Sequence, residues 1–287
     1  LAICEELNDR VGMARDYNHI GVVYRYKGLP DHALTYHNKA LKIHEELNDR
    51  VGMAKDHNHL GMVYRYKGQL DDALSYLNKA LKIHEELNDT FQMAWDYNNI
   101  GSVYRYNGQL DDALSYHNKA LKIHEELNDT VGMARSYGNM GLAYQDKDQL
   151  DDALSYHNKA LKIHEELGDS PGMAWEYCSI GLVYQDKGQL DDALSYHNRA
   201  LKIHEELNHR IWLAGDYYNI GLVYLSKKDK NEAQKAAVNA LKLAREFEVE
   251  AGSIHSSLFS PFLRAHSTRP FKNQVEKLLS SINEYST

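Results

Sequence analysis

The residues that could do chemistry are histidines first. The chain carries 16 of them in 287 residues. His44-Glu45-Glu46-Leu47-Asn48 opens like the zinc motif H-E-x-x-H, in which two histidines one helical turn apart ligate the metal. Asn48 stands where the second ligand is needed. His209 follows His204 by five residues, which does not place two ligands on one helical face. His37 and His44 are seven apart on one face of a helix, and the pair recurs as His117/His124, His157/His164 and His197/His204. Stacked helices lie about 8–10 Å apart, too far for such a ladder to converge on an ion. Packing or surface histidines are therefore expected, titrating near pH 6–7 and able to make stability pH-sensitive. No metal and no cofactor is expected.

The other nucleophiles and phosphate-binding loops are also missing their company. Cys4 and Cys178 are the two cysteines. They exclude a disulfide scaffold or a cysteine zinc cluster, and Cys178 has no identifiable His-Asp partner. There is no Walker loop, no dinucleotide glycine fingerprint and no G-x-S-x-G elbow. Asn88-Asp89-Thr90 and Asn128-Asp129-Thr130 match the glycosylation triplet, but without a signal peptide they read as helix ends and caps. An enzyme is not expected, and no catalytic residue is assigned.

Composition agrees with a folded, soluble protein. Hydrophobic residues make up 43% and charged residues 26%, and the formal net charge is −8. That balance argues against a general nucleic-acid binder. No apolar run approaches the 18 residues a membrane span needs. The low cysteine count suits a reducing compartment, and a cytoplasmic location is expected. Length alone suggests two domains, but a repeat overrides that reading.

The block DDALSYHNKALKIHEELND starts at Asp111 and recurs, with at most three changes, from Asp31, Asp71, Asp151 and Asp191, always 40 residues apart. A fixed period in this range means stacked supersecondary units. Met53, His57, Leu60 and Tyr64 mark one face of a first helix, A, over about 51–67. Ala73, Tyr76, Ala80, Ile83 and Leu87 mark a second, B, over about 71–87. Ser170 reads as an N-cap with Pro171 in the first turn, and Thr90 and Thr130 fill the same place. Gly28, Gly68, Gly108 and Gly188 end helix A, where a left-handed residue is needed. Small residues at Gly61, Ala73 and Ala80 let the helices approach closely, with Tyr64 and its equivalents expected beside each glycine.

These residues resemble the tetratricopeptide repeat signature. The stretch Ala94…Tyr97-Asn98-Asn99-Ile100-Gly101…Tyr104…Gly108…Ala113…Ala120-Leu121 carries it, and six copies cover residues 11–248. The common form has 34 residues and a proline after helix B; here Glu85 replaces that proline. The 40-residue unit with its ELND ending is similar to the long-repeat subgroup of Pins/LGN-type scaffolds and kinesin light chains. The resemblance implies an all-α fold: a right-handed superhelical solenoid of stacked helix-turn-helix units with a C-terminal helical cap. It also implies a concave groove lined by helix A that binds peptides or proteins without catalysis.

The ends suggest a three-part organisation. Residues 1–10, LAICEELNDR, match 41–50 and read as the remnant of a helix B whose helix A is missing, so a longer protein is expected, and self-association through that open end is possible. Residues 11–248 are six repeats. Residues 249–287 are the expected cap, with Pro261 and several serines in 249–269 and then a stripe of Phe271, Val275, Leu278 and Ile282. A tail helix folding into the groove is the alternative for this segment. A consensus array without a natural ligand is a further alternative for the whole.

Opposite the core face of helix A, positions 95, 98, 102, 105 and 106 should face the groove. The copies differ there while helix B barely changes. One position reads Arg15, Lys55, Trp95, Arg135, Trp175 and Gly215; another reads Asn18, Asn58, Asn98, Gly138, Cys178 and Tyr218. The last two read Arg25-Tyr26, Arg65-Tyr66, Arg105-Tyr106, Gln145-Asp146 and Gln185-Asp186. Arginine and tyrosine bring area and directional hydrogen bonds to interfaces, and asparagine can pair with a peptide backbone. The expected function is a scaffold or adaptor holding a peptide or protein segment, with acidic or aromatic groups toward repeats 1–3 and basic or polar groups toward repeats 4–5. The alternative is a sensor or regulatory module of a larger signalling protein.

Overall fold

The computed structural model describes residues 1–251 and 271–284, and among them the only regular structure is helical. After α1 (Ala2–Glu6) the chain runs through α2 (Arg10–Tyr26), α3 (Pro30–Glu46), α4 (Arg50–Tyr66), α5 (Leu70–Glu86), α6 (Thr90–Tyr106) and α7 (Leu110–Glu126). It continues through α8 (Thr130–Asp146), α9 (Leu150–Leu167), α10 (Ser170–Asp186), α11 (Leu190–Glu206), α12 (Arg210–Ser226), α13 (Lys230–Ala251) and α14 (Phe271–Glu284). Two compact units divide within α8: Leu1–Ala143 and Tyr144–Thr287. Inside each, a helix A packs on the following helix B, and that helix B on the next helix A. This is the tandem helix-pair solenoid expected from the period. No described helix is long and apolar enough to cross a membrane.

The helix starts differ from expectation by one residue. The caps are Asp9, Asp49, Asp89, Asp129 and Asp169, whose carboxylates accept the backbone N–H three residues on, at 2.9–3.2 Å. Thr90, Thr130 and Ser170 are already helical. The reason lies one residue upstream. Asn88 takes φ +54° and Asn48 +52°, reversing the chain early enough to leave the aspartate in the cap position. A carboxylate there satisfies an orphan N–H and meets the positive helix end. The glycine turns are as expected, with Gly68 at φ +74° and Gly108 at +75°.

The slot beside the helix A glycines Gly21, Gly61, Gly101 and Gly181 is not filled by tyrosine. A Cβ on Gly101 would sit 2.8 Å from His117 Cε1, on Gly61 2.7 Å from Leu77 Cγ, and on Gly181 2.7 Å from His197 Cε1. The filler comes from the middle of helix B. Tyr64 instead stacks on Tyr76 at 5.2 Å with rings 8° apart, and Tyr104 on Tyr116 likewise at 5.2 Å. Repeat 6 breaks the rule: its helix B has Ala237 at that place, and a Cβ on Gly221 would meet Leu278 Cδ2 of α14 at 3.2 Å. Val275, Leu278 and Ile282 join Ala233, Ala237, Ala240 and Ala244 in one buried cluster. α14 thus covers repeat 6 as a cap would. Pro261 and the serines of 252–270 lie outside the described residues, as does the Phe271 side chain.

Candidate functional site

The helix A positions singled out in the sequence divide into a buried row and an open row. The asparagines are buried. In the first unit Asn18 Nδ2 donates to Asp56 Oδ1 at 2.5 Å, and Asn18 Oδ1 accepts from His37 Nδ1 at 2.8 Å. Asn98 Nδ2 donates to Ser136 Oγ at 2.9 Å, and its Oδ1 accepts from His117 Nδ1 at 3.0 Å. Asn58 is half-buried and donates to Asp96 Oδ1 at 2.7 Å. Asn18 and Asn98 therefore join neighbouring repeats rather than a peptide backbone, which corrects the expected asparagine ladder. Their polar atoms are satisfied inside, as burial requires.

The aspartates of this network escaped the sequence reading. Asp56 Oδ2 accepts from His44 Nδ1 at 2.5 Å, and Asp96 Oδ2 from His84 Nδ1 at 2.5 Å. The signal that could have found them is a 38-residue step from each asparagine to an aspartate or serine on the next helix A. The second unit varies the theme: His204 Nδ1 lies 2.6 Å from Asp216 Oδ2, and Cys178 Sγ 3.0 Å from its Oδ1. Cys178 was expected on the open face; it is buried, and burial pushes its thiol well above the usual range. His157 Nδ1 pairs with Glu176 Oε2 at 2.7 Å.

Burial also corrects the expected titration of the histidines near neutrality. Desolvation holds His37 and His117 down to about 3 and His197 to about 4. These three are fully buried and neutral, each in the slot beside a glycine.

The open row belongs to the first unit. Arg15, Lys55, Arg135 and Tyr26 are exposed; Trp95, Arg25, Arg65, Arg105, Tyr66 and Tyr106 are half-buried. The guanidinium of Arg25 lies 4.6 Å from the Tyr26 centroid, and those of Arg65 and Arg105 lie 5.3 and 4.9 Å from that of Tyr106. Arg135 sits 4.7 Å over Trp95 and donates to Asn99 Oδ1 at 3.2 Å. Trp95 in turn meets Phe91 and His124 edge-on. Burial pulls the Arg65 pKa down, Tyr106 opposes it, and Arg105 and Arg25 add smaller downward pulls. Arg135 is lowered to about 10 by the surrounding protein and by Arg65, although its own surface stays open to solvent. The arrangement can offer planar N–H forks beside aromatic faces to an anionic, aromatic ligand.

The second unit has a different surface. Gln145 is buried and donates Nε2 to Asp186 Oδ2 at 2.8 Å. Asp146 is exposed, and Gln185, Asp186 and Trp175 are half-buried, with Trp175 edge-on to Trp212 at 6.4 Å.

Comparison with known proteins agrees with this architecture. Family models described as tetratricopeptide repeat match residues 53–126, 132–206 and 173–246, and a second such model matches 17–57. No curated protein matches. Among solved structures, BtubC (BKLC) from P. vanneervenii is 20% identical, with a TM-score of 0.61 over 79% of this chain and 92% of that one. A Rap protein complexed with competence and sporulation factor is 17% identical, with a TM-score of 0.69 over 93% and 75%. A signal transduction ATPase of the STAND class with a tetratricopeptide repeat sensor, from Pyrococcus horikoshii, is 17% identical, with a TM-score of 0.64 over 94% and 43%. The chain belongs to the tetratricopeptide repeat family, and it is a protein-interaction repeat module.

Proposed function

We propose that the chain is a scaffold or adaptor that binds an extended protein segment along the helix A faces of repeats 1–3. The observation that carries this reading is the row of Arg25, Arg65, Arg105 and their Tyr26, Tyr66, Tyr106 and Trp95 neighbours, partly open to solvent and grouped on α2, α4 and α6, with Arg135 of the next helix A reaching over Trp95. Arginine and aromatic side chains are the usual anchors of protein interfaces. Their charge favours a segment with acidic and aromatic residues. Gln185, Asp146 and Asp186 of the second unit favour basic or polar groups. Selection from a displayed random-peptide library tests this. Acidic-aromatic sequences should be enriched on the wild-type chain and lost on Arg25→Glu/Arg65→Glu; enrichment indifferent to that change would sink the reading.

A second reading is a sensor module within a larger signalling protein. It is supported by the likeness to the Pyrococcus horikoshii protein, whose chain extends well beyond the matched part. The Rap protein, complexed with competence and sporulation factor, supports a ligand-sensing role equally. Reading the gene outward on both sides separates the two: an adjoining catalytic or switch domain favours the sensor, and its absence favours the adaptor.

A further inference from the structure

The turns that join each helix B to the next helix A carry exposed apolar side chains. In the first unit Leu47, Leu87 and Leu127, at the ends of α3, α5 and α7, are 42–44% exposed. Four residues on, in the first turns of α4, α6 and α8, Val51, Phe91 and Val131 are 61%, 43% and 54% exposed. The turns stack into one edge. Arg50 pairs with Glu86, which ties the first turn of α4 to the end of α5. Trp95 meets Phe91 edge-on and lies under Arg135, one turn beyond Val131. Apolar residues exposed singly are ordinary, but a contiguous strip marks a contact surface. Comparison of the copies points the same way. Val51 and its equivalents Val11, Phe91, Val131, Pro171 and Ile211 change size and shape but stay apolar, whereas Lys55 and its equivalents vary between cation, tryptophan and glycine.

Charge and spacing select the occupant of this edge. Each turn places two exposed glutamates just before its leucine: Glu45-Glu46, Glu85-Glu86 and Glu125-Glu126. With Asp49, Asp89 and Asp129 they outnumber the lysines and arginines of the same stretches, which are Lys42, Arg50, Lys82 and Lys122. Thr90 stands where Arg10 and Arg50 do, so Glu126 lacks the arginine that Glu46 and Glu86 hold. The carbonyl ends of the B helices add partial negative charge. A second copy of this edge, or an anionic membrane, is therefore repelled, and a cationic partner is attracted. Helix A of one repeat also touches helix A of the next, as Asn58 on α4 bonds Asp96 on α6, so their first turns step by about 8–10 Å. Residues seven apart on a helix share a face at about 10.5 Å, whereas same-face residues of a strand fall at about 7 and 13 Å. We propose that the edge formed by Leu47, Val51, Leu87, Phe91, Leu127 and Val131 docks a basic amphipathic helix of another protein, with leucine-type side chains recurring every seven residues. The edge borders the arginine–aromatic row at Phe91 but uses different side chains, so one chain can hold two partners.

Fluorescence anisotropy of the full chain with three labelled peptides tests it. The first repeats Leu-Ala-Lys-Lys-Leu-Ala-Lys three times, so its leucines share one helical face. The second replaces its lysines with glutamate. The third keeps the composition of the first but spreads the leucines around the helix. The first should bind about tenfold or more tighter than either of the others. Val51→Lys/Val131→Lys, at two positions open to solvent, should weaken that binding about tenfold or more. The milder Val51→Ser/Val131→Ser should weaken it less, and circular dichroism checks that both variants fold. The proposal is overturned if the second or third peptide binds as well as the first, if neither variant weakens the first, or if no peptide binds. Two further measurements address other occupants. Sedimentation showing that the wild type dimerises while the lysine variant stays monomeric would assign the edge to a second copy. Flotation of the wild type with phosphatidylcholine vesicles, lost in the serine variant, would assign it to a lipid surface. Either result overturns the helix as its partner.

Discussion

At the scale of single residues, the helix interfaces depend on a few polar atoms without access to water. Asp96 is fully buried and accepts from His84 Nδ1 and Asn58 Nδ2. Asp96→Ala leaves both donors unmatched, and a loss of about 2–4 kcal/mol is expected in urea denaturation; a loss below about 0.5 kcal/mol would contradict the network. The buried histidines make a pH prediction of definite sign. His37, His117 and His197 protonate at about 3 to 4 in the folded chain but near 6.5 when unfolded. Between those values the unfolded state holds more protons, so their stabilising contribution is complete above about pH 6.5 and is lost as pH falls toward 4. Each contributes up to about 1.4 kcal/mol per pH unit in that window. Asp56 and Asp216, whose carboxyls burial raises, act in the opposite sense from about pH 4 upward. Urea midpoints should therefore fall from pH 7 to pH 5, and a flat profile would be inconsistent with neutral buried histidines. Sequence spacing showed that these histidines recur, but not that they are neutral: an imidazole fits a core slot, a surface or a metal site, and only burial decides.

At the scale of elements, nearly all of the helices were legible, because a 40-residue copy repeats the same apolar period six times. The caps were not, because Asp89 and Thr90 are both good cap residues and the choice is made by the left-handed turn at Asn88. The pair gives a sharp test. Asp89→Ala should cost about 1 kcal/mol in thermal or urea unfolding, and Thr90→Ala only a few tenths; the reverse order would restore threonine as the cap. The filler of the glycine slot was also misread, since tyrosine and histidine both recur at suitable spacing and the depth of the slot separates them. α14 replaces that filler in repeat 6. Leu278→Ala removes a side chain only 4% exposed, and a loss of about 2–4 kcal/mol is expected. Hydrogen exchange should show the loss first in α12 and α13. Unchanged protection there would mean that α14 is not a cap.

At the scale of the whole molecule, near-identical helix B copies give an almost uniform frame, while the helix A faces carry the differences between repeats. The Arg, Tyr and Trp positions of that face were legible because the copies disagree there. The buried asparagines were not, because position 98 lies on the edge between the open face and the next repeat, and its 38-residue partner is invisible to a single-helix projection. The central claim is that the row on α2, α4 and α6 binds a protein segment. Its most direct test is the affinity of a selected acidic-aromatic peptide for the wild type and for Arg25→Glu/Arg65→Glu across a range of salt concentrations. The wild type should weaken steadily with salt, and the variant should bind about tenfold or more weaker at low salt with a flattened salt dependence. Equal affinity and equal salt dependence in the two chains would contradict the account.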